Sequence, residues 1–148
     1  MSAVIIRSGK ENMDVETIHR YLSEDSYWAK GISYTFVDNS LTNSFCVGAF
    51  IDGKQVGFGR VITDYYTFGW FADFFVLPGY QGKGVAKKML SYILDQPWSK
   101  RLRRKMLGTR DAHTLYRQFQ FKDLANPSII MEINNPTVHL EYVGELTS

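Results

Sequence analysis

The sequence has little cysteine and no long hydrophobic run. Its one cysteine, Cys46, excludes an intrachain disulfide, and the neighbours Phe45 and Val47 indicate a buried thiol in a strand. No apolar run reaches the roughly 18 residues that a membrane-spanning helix needs, and the run near the amino terminus, Val4–Ile6, is too short for a signal peptide. We therefore expect a soluble, cytoplasmic protein that does not bind a membrane.

Charge of one sign is also scarce, because 17 Lys and Arg residues against 15 Asp and Glu residues leave a formal net charge of +2. That charge is too small to indicate a polyanionic partner. Positive charges do cluster between Trp98 and Lys105. A solvated loop or the entry to a strand is the commoner structure for so short a run, since nucleic-acid binding needs a wider basic surface. We expect no nucleic-acid partner.

Repeats, low-complexity tracts and linkers are absent as well. We expect residues 1–148 to form a single domain in which only the residues after Tyr142 are dispensable, and we expect no metal site. Aromatic residues, by contrast, make up 15% of the chain, so some of them could line a cleft in addition to filling the core.

The most informative stretch runs from Phe71 to Ala86 and predicts a strand, a turn and a helix. The apolar run that ends at Val76 is stopped by Pro78-Gly79, and a glycine-rich turn from Gln81 to Ala86 follows. The helix then shows apolar residues at i, i+4, i+7 and i+8, namely Val85, Met89, Tyr92 and Ile93, and Pro97 marks its far end. Glycines at a helix start allow a phosphate to approach unpaired backbone N–H groups, so we predict a phosphate-binding turn.

Two common phosphate motifs do not fit this turn. A Walker loop requires Ser or Thr after its lysine, but Gly84 follows Lys83. A dinucleotide fingerprint requires Gly-x-Gly-x-x-Gly, which Gly82 and Gly84 begin and Lys87 does not complete.

The remaining patterns predict that strands and helices follow one another along the chain in the order β, α, α, β, β, β, α, β, α, β. Predicted strands occupy 4–6, 45–51, 55–63, 67–76, 106–109 and 128–133. Predicted helices begin at Asn12 or Asp14, span 26–31, run from the glycine turn to Pro97, and span 112–118 with Asp111 as cap. Asp52-Gly53 indicates a hairpin turn. Alternation in 67–76 places Phe71, Asp73 and Phe75 on one face.

Two motifs carry a resemblance to a known family. Gln81, Gly84 and Ala86 after Val76-Leu77-Pro78 resemble the pyrophosphate motif of the GNAT superfamily of N-acetyltransferases. The run from Leu115 to Phe121 resembles the Leu-Tyr-x-x-x-Gly-Phe motif of its last helix, with Gln120 at the glycine position. The resemblance implies an α/β, acyl-CoA N-acyltransferase fold, with a mostly antiparallel mixed sheet flanked by helices, and acetyl-CoA as cofactor.

The same resemblance implies roles for individual residues. The turn residues Gln81, Gly82, Lys83, Gly84, Val85 and Ala86 would hold the pyrophosphate. Phe75 and Val76 would contact the pantetheine and the thioester, and Thr109 stands where many members have a pantetheine-binding asparagine. Tyr116 matches a general acid near the CoA sulfur, although a tyrosine that only packs between helix and sheet is the alternative.

The general base is less well defined by sequence. Residues 71–76 are similar to a strand of the spermidine/spermine acetyltransferases, but Ala72 replaces their glutamate, which leaves Asp73 as the candidate catalytic carboxylate. Asp73 could instead pair with Arg60. His113, or a water held by Asp73, Tyr65 or Tyr66, could also move the proton.

Five aromatic residues are candidates for the acceptor pocket: Tyr27, Trp28, Tyr65, Tyr66 and Trp70. We expect transfer of acetyl to the primary amine of a small molecule by direct attack in a ternary complex. Acetylation of protein lysines or N-termini, and a non-catalytic acyl-CoA sensor, are the alternatives. The family resemblance also allows a homodimer.

Overall fold

The structure, a computed structural model, describes residues 2–142 as one sheet with helices on both faces. The strands are β1 (Ile5–Ser8), β2 (Phe45–Ile51), β3 (Lys54–Thr63), β4 (Phe68–Val76) and β5 (Arg104–Leu107). The helices are α1 (Val15–Arg20), α2 (Tyr34–Thr42), α3 (Val85–Leu94), α4 (Pro97–Arg101) and α5 (His113–Arg117). A π-helical turn at Tyr21–Asp25 continues α1, and 3₁₀ turns lie at Lys10–Asn12, Pro127–Ile129 and Val138–Leu140. The longest helix of this described part has 10 residues, so none could cross a membrane.

The sheet confirms the predicted fold class. Its strand order is β1-β2-β3-β4-β5, and every neighbouring pair is antiparallel except β4 and β5, which run parallel. The predicted hairpin turn joins β2 to β3, with φ angles of 50° at Asp52 and 80° at Gly53. Positive φ at both central residues is the geometry that matches the twist of the two strands.

Two clusters of buried side chains stabilise the sheet from opposite faces. α3 packs on one face through Val85, Met89, Leu90 and Ile93. α1 and α2 pack on the other through Ile18, Val37 and Leu41, and Cys46 lies in this second cluster, as its apolar neighbours predicted. Each fully buried aliphatic side chain of this kind contributes about 1.5–3 kcal/mol.

The alternation of side chains along β4 reverses at Asp73. Between paired positions, β3 has the single residue Gly59 where β4 has two, Asp73 and Phe74. Asp73 has a φ of 59°, so the extra residue forms a β-bulge. An extra residue shifts the two-residue period by one, and Phe71 therefore packs with the α3 cluster while Phe75 packs with the α1–α2 cluster. The prediction that Phe71, Asp73 and Phe75 share one face is wrong.

The segment 26–31 is a loop, so the helix predicted there is wrong. Ser26 has extended backbone, and its buried hydroxyl donates to the Leu22 carbonyl at 2.6 Å and accepts from the Ala29 N–H at 3.1 Å. Such a side chain offers the backbone an alternative to helical hydrogen bonds. Gly31, with a φ of 81°, turns the chain toward α2.

The next helix, α2, was not predicted from the sequence. Ser33 is its N-cap and accepts a hydrogen bond from the Phe36 N–H at 3.2 Å. Val37 and Leu41, four residues apart, are both fully buried. Burial of this stripe outweighs a composition rich in β-branched and short polar residues.

Predictions for the carboxy-terminal third need correction in three places. The basic run from Trp98 to Lys105 was predicted as a loop or a strand entry. Its first four residues instead belong to α4, and only Arg104 and Lys105 begin strand β5. Among the described residues, the predicted strand 128–133 pairs with nothing and overlaps a 3₁₀ turn. Asp111 does not cap α5, because the Ala112 N–H donates instead to the Thr109 hydroxyl at 3.0 Å. The residues called dispensable, 143–148, lie outside the described part.

Gln120 adopts the left-handed conformation that its motif position predicts, with a φ of 73°. A non-glycine residue there costs about 1 kcal/mol. We expect Gln120→Gly to raise the free energy of unfolding by about 0.5–1 kcal/mol, measured by urea denaturation. Gln118→Gly is the matched control and should lower it by a similar amount, because Gln118 has a helical φ of −64°. A loss of stability in Gln120→Gly would show that the left-handed backbone at Gln120 is not strained.

Candidate active site

A cleft of about 670 Å³ lies between the carboxyl end of β4 and the turn that joins β5 to α5. The π-helical turn with the following loop, the end of β4, the turn into α3, and α5 with its preceding turn form the walls. These segments contribute Tyr21, Asp25, Tyr27, Trp28, Phe74, Phe75, Val76, Tyr80, Gln81, Gly82, Gly84, Val85, Ala86, Lys87, Met89, Arg110, Asp111, Ala112, Leu115 and Tyr116. All but two of the residues predicted to bind the cofactor therefore meet in one place; Lys83 and Thr109 do not line the cleft.

The glycine turn at the start of α3 has the geometry of an anion site. Gly82 and Gly84 have left-handed φ angles of 74° and 80°, and open space surrounds the position of a β-carbon at each. The left-handed backbone, and not a lack of space, therefore favours glycine at both positions. Gly84 is the N-cap of α3 and no side chain caps the helix, so N–H groups of the first turn have no intrahelical acceptor. These groups and the helix dipole attract negative charge.

Lys87 brings positive charge to the cleft in place of the predicted Lys83. Lys87 follows Gly84 by three residues and so lies on the same side of the first helical turn. The helical period beyond the glycine motif was the signal that could have identified Lys87. Gln81 has a separate role, since its side-chain amide donates to the Val76 carbonyl at 2.9 Å and fixes the turn to the end of β4.

Tyr116 is a buried tyrosine on the α5 wall of the cleft. The rings of Phe74 and Phe121 contact its ring edge to face, with centroids 6.4 Å and 5.8 Å away. Burial, and to a lesser degree the charge of Tyr27, raises the pKa of Tyr116 to about 12. The hydroxyl therefore keeps its proton throughout the physiological pH range.

Tyr27 and Trp28, two of the candidates for the acceptor pocket, line the cleft from the loop that follows the π-helical turn. The two rings meet edge to face with centroids 4.9 Å apart. Tyr27 also contacts the turn before α5. Its hydroxyl accepts a hydrogen bond from the Arg110 N–H at 3.2 Å, and the Arg110 guanidinium lies 3.7 Å from its ring centroid. Arg110 adds a second positive charge to the cleft that the sequence did not indicate.

Asp73 is held in an ion pair and does not border the cleft. Arg60 Nε donates to one carboxylate oxygen at 2.7 Å, and Trp28 Nε1 donates to the other at 2.7 Å. The side chains of Arg60 and Asp73 are only 15% and 13% exposed. Both oxygens thus have hydrogen-bond partners, which favours the structural alternative for Asp73 over the catalytic one.

Two of the predicted acceptor-pocket residues lie at the wrong end of the sheet. Tyr65 and Tyr66 are in the turn between β3 and β4, roughly 25 Å from the carboxyl end of β4 by strand length. The Tyr65 carbonyl accepts from Arg101 Nε at 2.8 Å, and the Arg101 guanidinium lies 3.9 Å from the Tyr66 ring centroid. Through these contacts Arg101, a residue of the basic run, stabilises the turn that contains both tyrosines. The alternation of aromatic residues gave no indication of which end of β4 would meet the cleft.

Trp70, Thr109 and His113 border a second cavity of about 540 Å³, not the cleft. Tyr116 borders both cavities. The structure therefore separates these three predicted site residues from the glycine turn and brings Tyr116 alone to both spaces.

The cleft as a whole suits an elongated ligand with an anionic group. Its glycine turn is an open backbone cradle, Lys87 and Arg110 supply positive charge, and aromatic rings line the space between that turn and Tyr116. A diphosphate with an attached organic chain, as in a CoA thioester, fits these donors.

Comparison with known proteins identifies the family. Residues 42–123 match the model described as "Acetyltransferase (GNAT) domain". The chain therefore belongs to the GNAT acetyltransferase family, whose members use acetyl-CoA, and it is an acyltransferase enzyme. The resemblance inferred from the two sequence motifs is confirmed.

Two relatives show how far the similarity extends. "Putative acetyltransferase FG08082" of Gibberella zeae is 32% identical over 125 residues and matches 70% of each chain. A solved structure from Xanthomonas campestris pv. campestris, described as "a putative acetyltransferase belonging to the gnat family", is 39% identical, with a TM-score of 0.90 over 94% of this chain and 98% of that one.

A more distant neighbour shares the fold alone. The structure described as "predicted acetyltransferase with acetyl-CoA", from Clostridium acetobutylicum, is 15% identical, with a TM-score of 0.64 over 96% of this chain and all of that one.

Removal of the Asp73 carboxylate should reveal the cost of leaving Arg60 buried without its partner. We expect Asp73→Ala to lower the free energy of unfolding by about 3–5 kcal/mol in urea denaturation. Asp123→Ala is the control, because Asp123 and Arg117 form a comparable pair at 2.8 Å that is 82% and 53% exposed, and it should cost less than about 1 kcal/mol. Equal losses in the two variants would contradict a structural role for Asp73.

Proposed function

We propose that the protein is an acetyl-CoA-dependent N-acetyltransferase that acetylates the primary amine of a small molecule by direct attack in a ternary complex. One observation carries the proposal: a single cleft contains an anion cradle at the glycine turn and a buried, protonated tyrosine. Binding of the cofactor requires the cradle, and departure of its thiol requires the tyrosine. A cytoplasmic location, which a lone cysteine permits, belongs to the same proposal.

The residues around the glycine turn would hold the cofactor by its diphosphate. Backbone N–H groups at Gly82, Gly84 and the first turn of α3 would donate to phosphate oxygens, and Lys87 and Arg110 would balance their charge. The Val76 backbone, at the end of β4, would orient the organic chain beside it. Acetyl-CoA, when bound, supplies the activated thioester.

Tyr116 would stabilise negative charge on the leaving sulfur. Because burial raises its pKa to about 12, its hydroxyl is always available as a hydrogen-bond donor. Complete proton transfer to a thiolate with a pKa of about 8.5 is uphill from such a group, so the hydrogen bond itself would provide most of the effect. Tyr116 is the catalytic residue of the proposal.

Deprotonation of the amine falls to carboxylates that border the cleft, since Asp73 does not. Asp25 and Asp111 line it, and both charges add to the effect of burial in raising the pKa of Tyr21, which places them near the same ring. They would attract the cationic amine and accept its proton directly or through water. Asp73 acts as a positioning residue through its hydrogen bond to Trp28.

The test is release of CoA thiol from acetyl-CoA in the presence of separate acceptor pools: polyamines, arylalkylamines, aminoglycosides, amino acids and lysine peptides. We expect one small-amine pool to support turnover and Tyr116→Phe to reduce kcat by about 100-fold. The reduction should be the same from about pH 7 to pH 10, because Tyr116 does not ionise in that range. Tyr34→Phe, a half-exposed tyrosine outside the cleft, is the matched control.

Binding measurements separate the alternatives. Tyr116→Phe should leave the affinity for CoA unchanged, since its hydroxyl acts on the leaving group and the glycine turn holds the diphosphate. Turnover only with lysine peptides would replace the small-amine acceptor by a protein. CoA binding without turnover in any pool would favour a sensor, and equal turnover in both proteins would remove Tyr116 from its role.

A further inference from the structure

The loop 26–31 carries two aromatic residues of the cleft wall, and their position depends on what the loop contacts. Towards the cleft, Tyr27 stacks with the Arg110 guanidinium, and Trp28 Nε1 donates to Asp73 at 2.7 Å. A loop has neither a helix nor a ladder of its own to fix its backbone, so contacts with neighbouring segments decide how well ordered it is. The other contacts of this loop therefore bear on the shape of the cleft.

The carboxy-terminal 3₁₀ turn, Val138–Leu140, contacts the same loop two residues beyond Trp28. His139 Nε2 lies 2.8 Å from the Lys30 carbonyl oxygen. A carbonyl oxygen only accepts hydrogen bonds, so Nε2 carries a hydrogen of the imidazole ring and donates it. The two residues are 109 positions apart in the sequence, and the bond therefore ties the carboxy-terminal part of the chain to the loop.

Leu140 adds an apolar contact beside this hydrogen bond. Gly31, the last residue of the loop, has a φ of 81°, and a β-carbon there would lie 2.8 Å from the Leu140 Cδ2 atom. The leucine side chain thus lies directly against the loop backbone. The Gly31 N–H also donates to the Ser23 carbonyl at 2.9 Å, which closes the loop onto the π-helical turn. Leu140 therefore packs at the point where the loop is closed.

The carboxy-terminal turn contributes little to the core of the protein. Val138 is 36% exposed, Leu140 is 46% exposed and His139 is half-buried. None of the three belongs to either cluster of buried side chains that stabilises the sheet. Their contacts with Lys30 and Gly31 therefore act on the loop more than on the stability of the whole fold.

We propose that Val138–Leu140 is a strap that holds the loop 26–31 where Tyr27 and Trp28 line the cleft, and that His139 is a positioning residue for the acceptor amine. The inference rests on the proposed acetyl transfer for the identity of the ligand. An acceptor that meets a loop already in place does not have to order it, so the strap raises the affinity for the acceptor without touching it.

Steady-state kinetics of His139→Ala test the effect on the acceptor. We expect the KM of the acceptor to rise about 3- to 10-fold, as for the loss of one hydrogen bond. The kcat and the affinity for CoA should stay those of the wild type, because Tyr116 and the glycine turn are unchanged. His139→Gln should restore the KM, since its amide nitrogen lies as many bonds from Cα as Nε2 and also donates.

Two controls separate the strap from a general loss of structure. Ile133→Ala removes a fully exposed aliphatic side chain from the same part of the chain and should leave the acceptor KM unchanged. The thermal midpoint of His139→Ala should equal that of the wild type, because His139 lies outside both buried clusters.

Hydrogen exchange tests the strap without any substrate. Amides of residues 27–31 should exchange about 3- to 10-fold faster in His139→Ala than in the wild type, and those of β2 and β3 should be unchanged. If no acceptor pool supports turnover, this measurement still decides whether the strap exists. Failure of the strap and failure of the proposed acetyl transfer are therefore separate results.

Four results would overturn the inference. Equal exchange of residues 27–31 in His139→Ala and the wild type would remove the strap. Faster exchange with an unchanged acceptor KM would remove the positioning role of His139. A lower thermal midpoint in His139→Ala, or a His139→Gln variant that behaves like His139→Ala, would show that His139 acts in some way other than through its hydrogen bond to the loop.

Discussion

The ion pair between Arg60 and Asp73 is the interaction on which the geometry of the cleft depends. It holds a non-glycine residue at positive φ in the middle of a strand. The resulting bulge places Phe71 and Phe74, three residues apart, on one face of the sheet and Phe75 on the other. Phe74 then packs beside Tyr116, while Phe75 stacks on Tyr21 with ring centroids 4.0 Å apart. One buried charge pair thus sets both aromatic walls of the cleft.

The same carboxylate connects the strand to the loop that faces it. Because Trp28 donates to the second oxygen of Asp73, the loop 26–31 is fixed relative to β4, and the Tyr27 ring is held where Arg110 can stack on it. A buried structural carboxylate is easily mistaken for a catalytic one, because both types lie close to a functional site. Here the number of hydrogen bonds to the carboxylate, which sequence does not reveal, separates the two roles.

Local signals were sufficient wherever chain neighbours determine the structure. The hairpin at Asp52-Gly53, the glycine turn and strand β2 follow from dihedral preference and apolar pattern, and the family follows from two short motifs. Long-range contacts determined the rest. The bulge at Asp73 depends on pairing with β3, and the position of Tyr65 far from the cleft depends on where β4 begins. Lys87 lies beyond the motif that drew attention to Lys83.

The buried thiol of Cys46 gives the protein a chemical property of practical use. Its Sγ lies beneath α2, 3.5 Å from the Leu41 carbonyl oxygen, and burial raises its pKa to about 11, so the folded chain presents almost no thiolate to an electrophile. Disulfide reagents will react with small thiols in the medium and spare the protein. They will modify Cys46 only when α2 separates from the sheet. The rate of labelling therefore reports how often that half of the core opens.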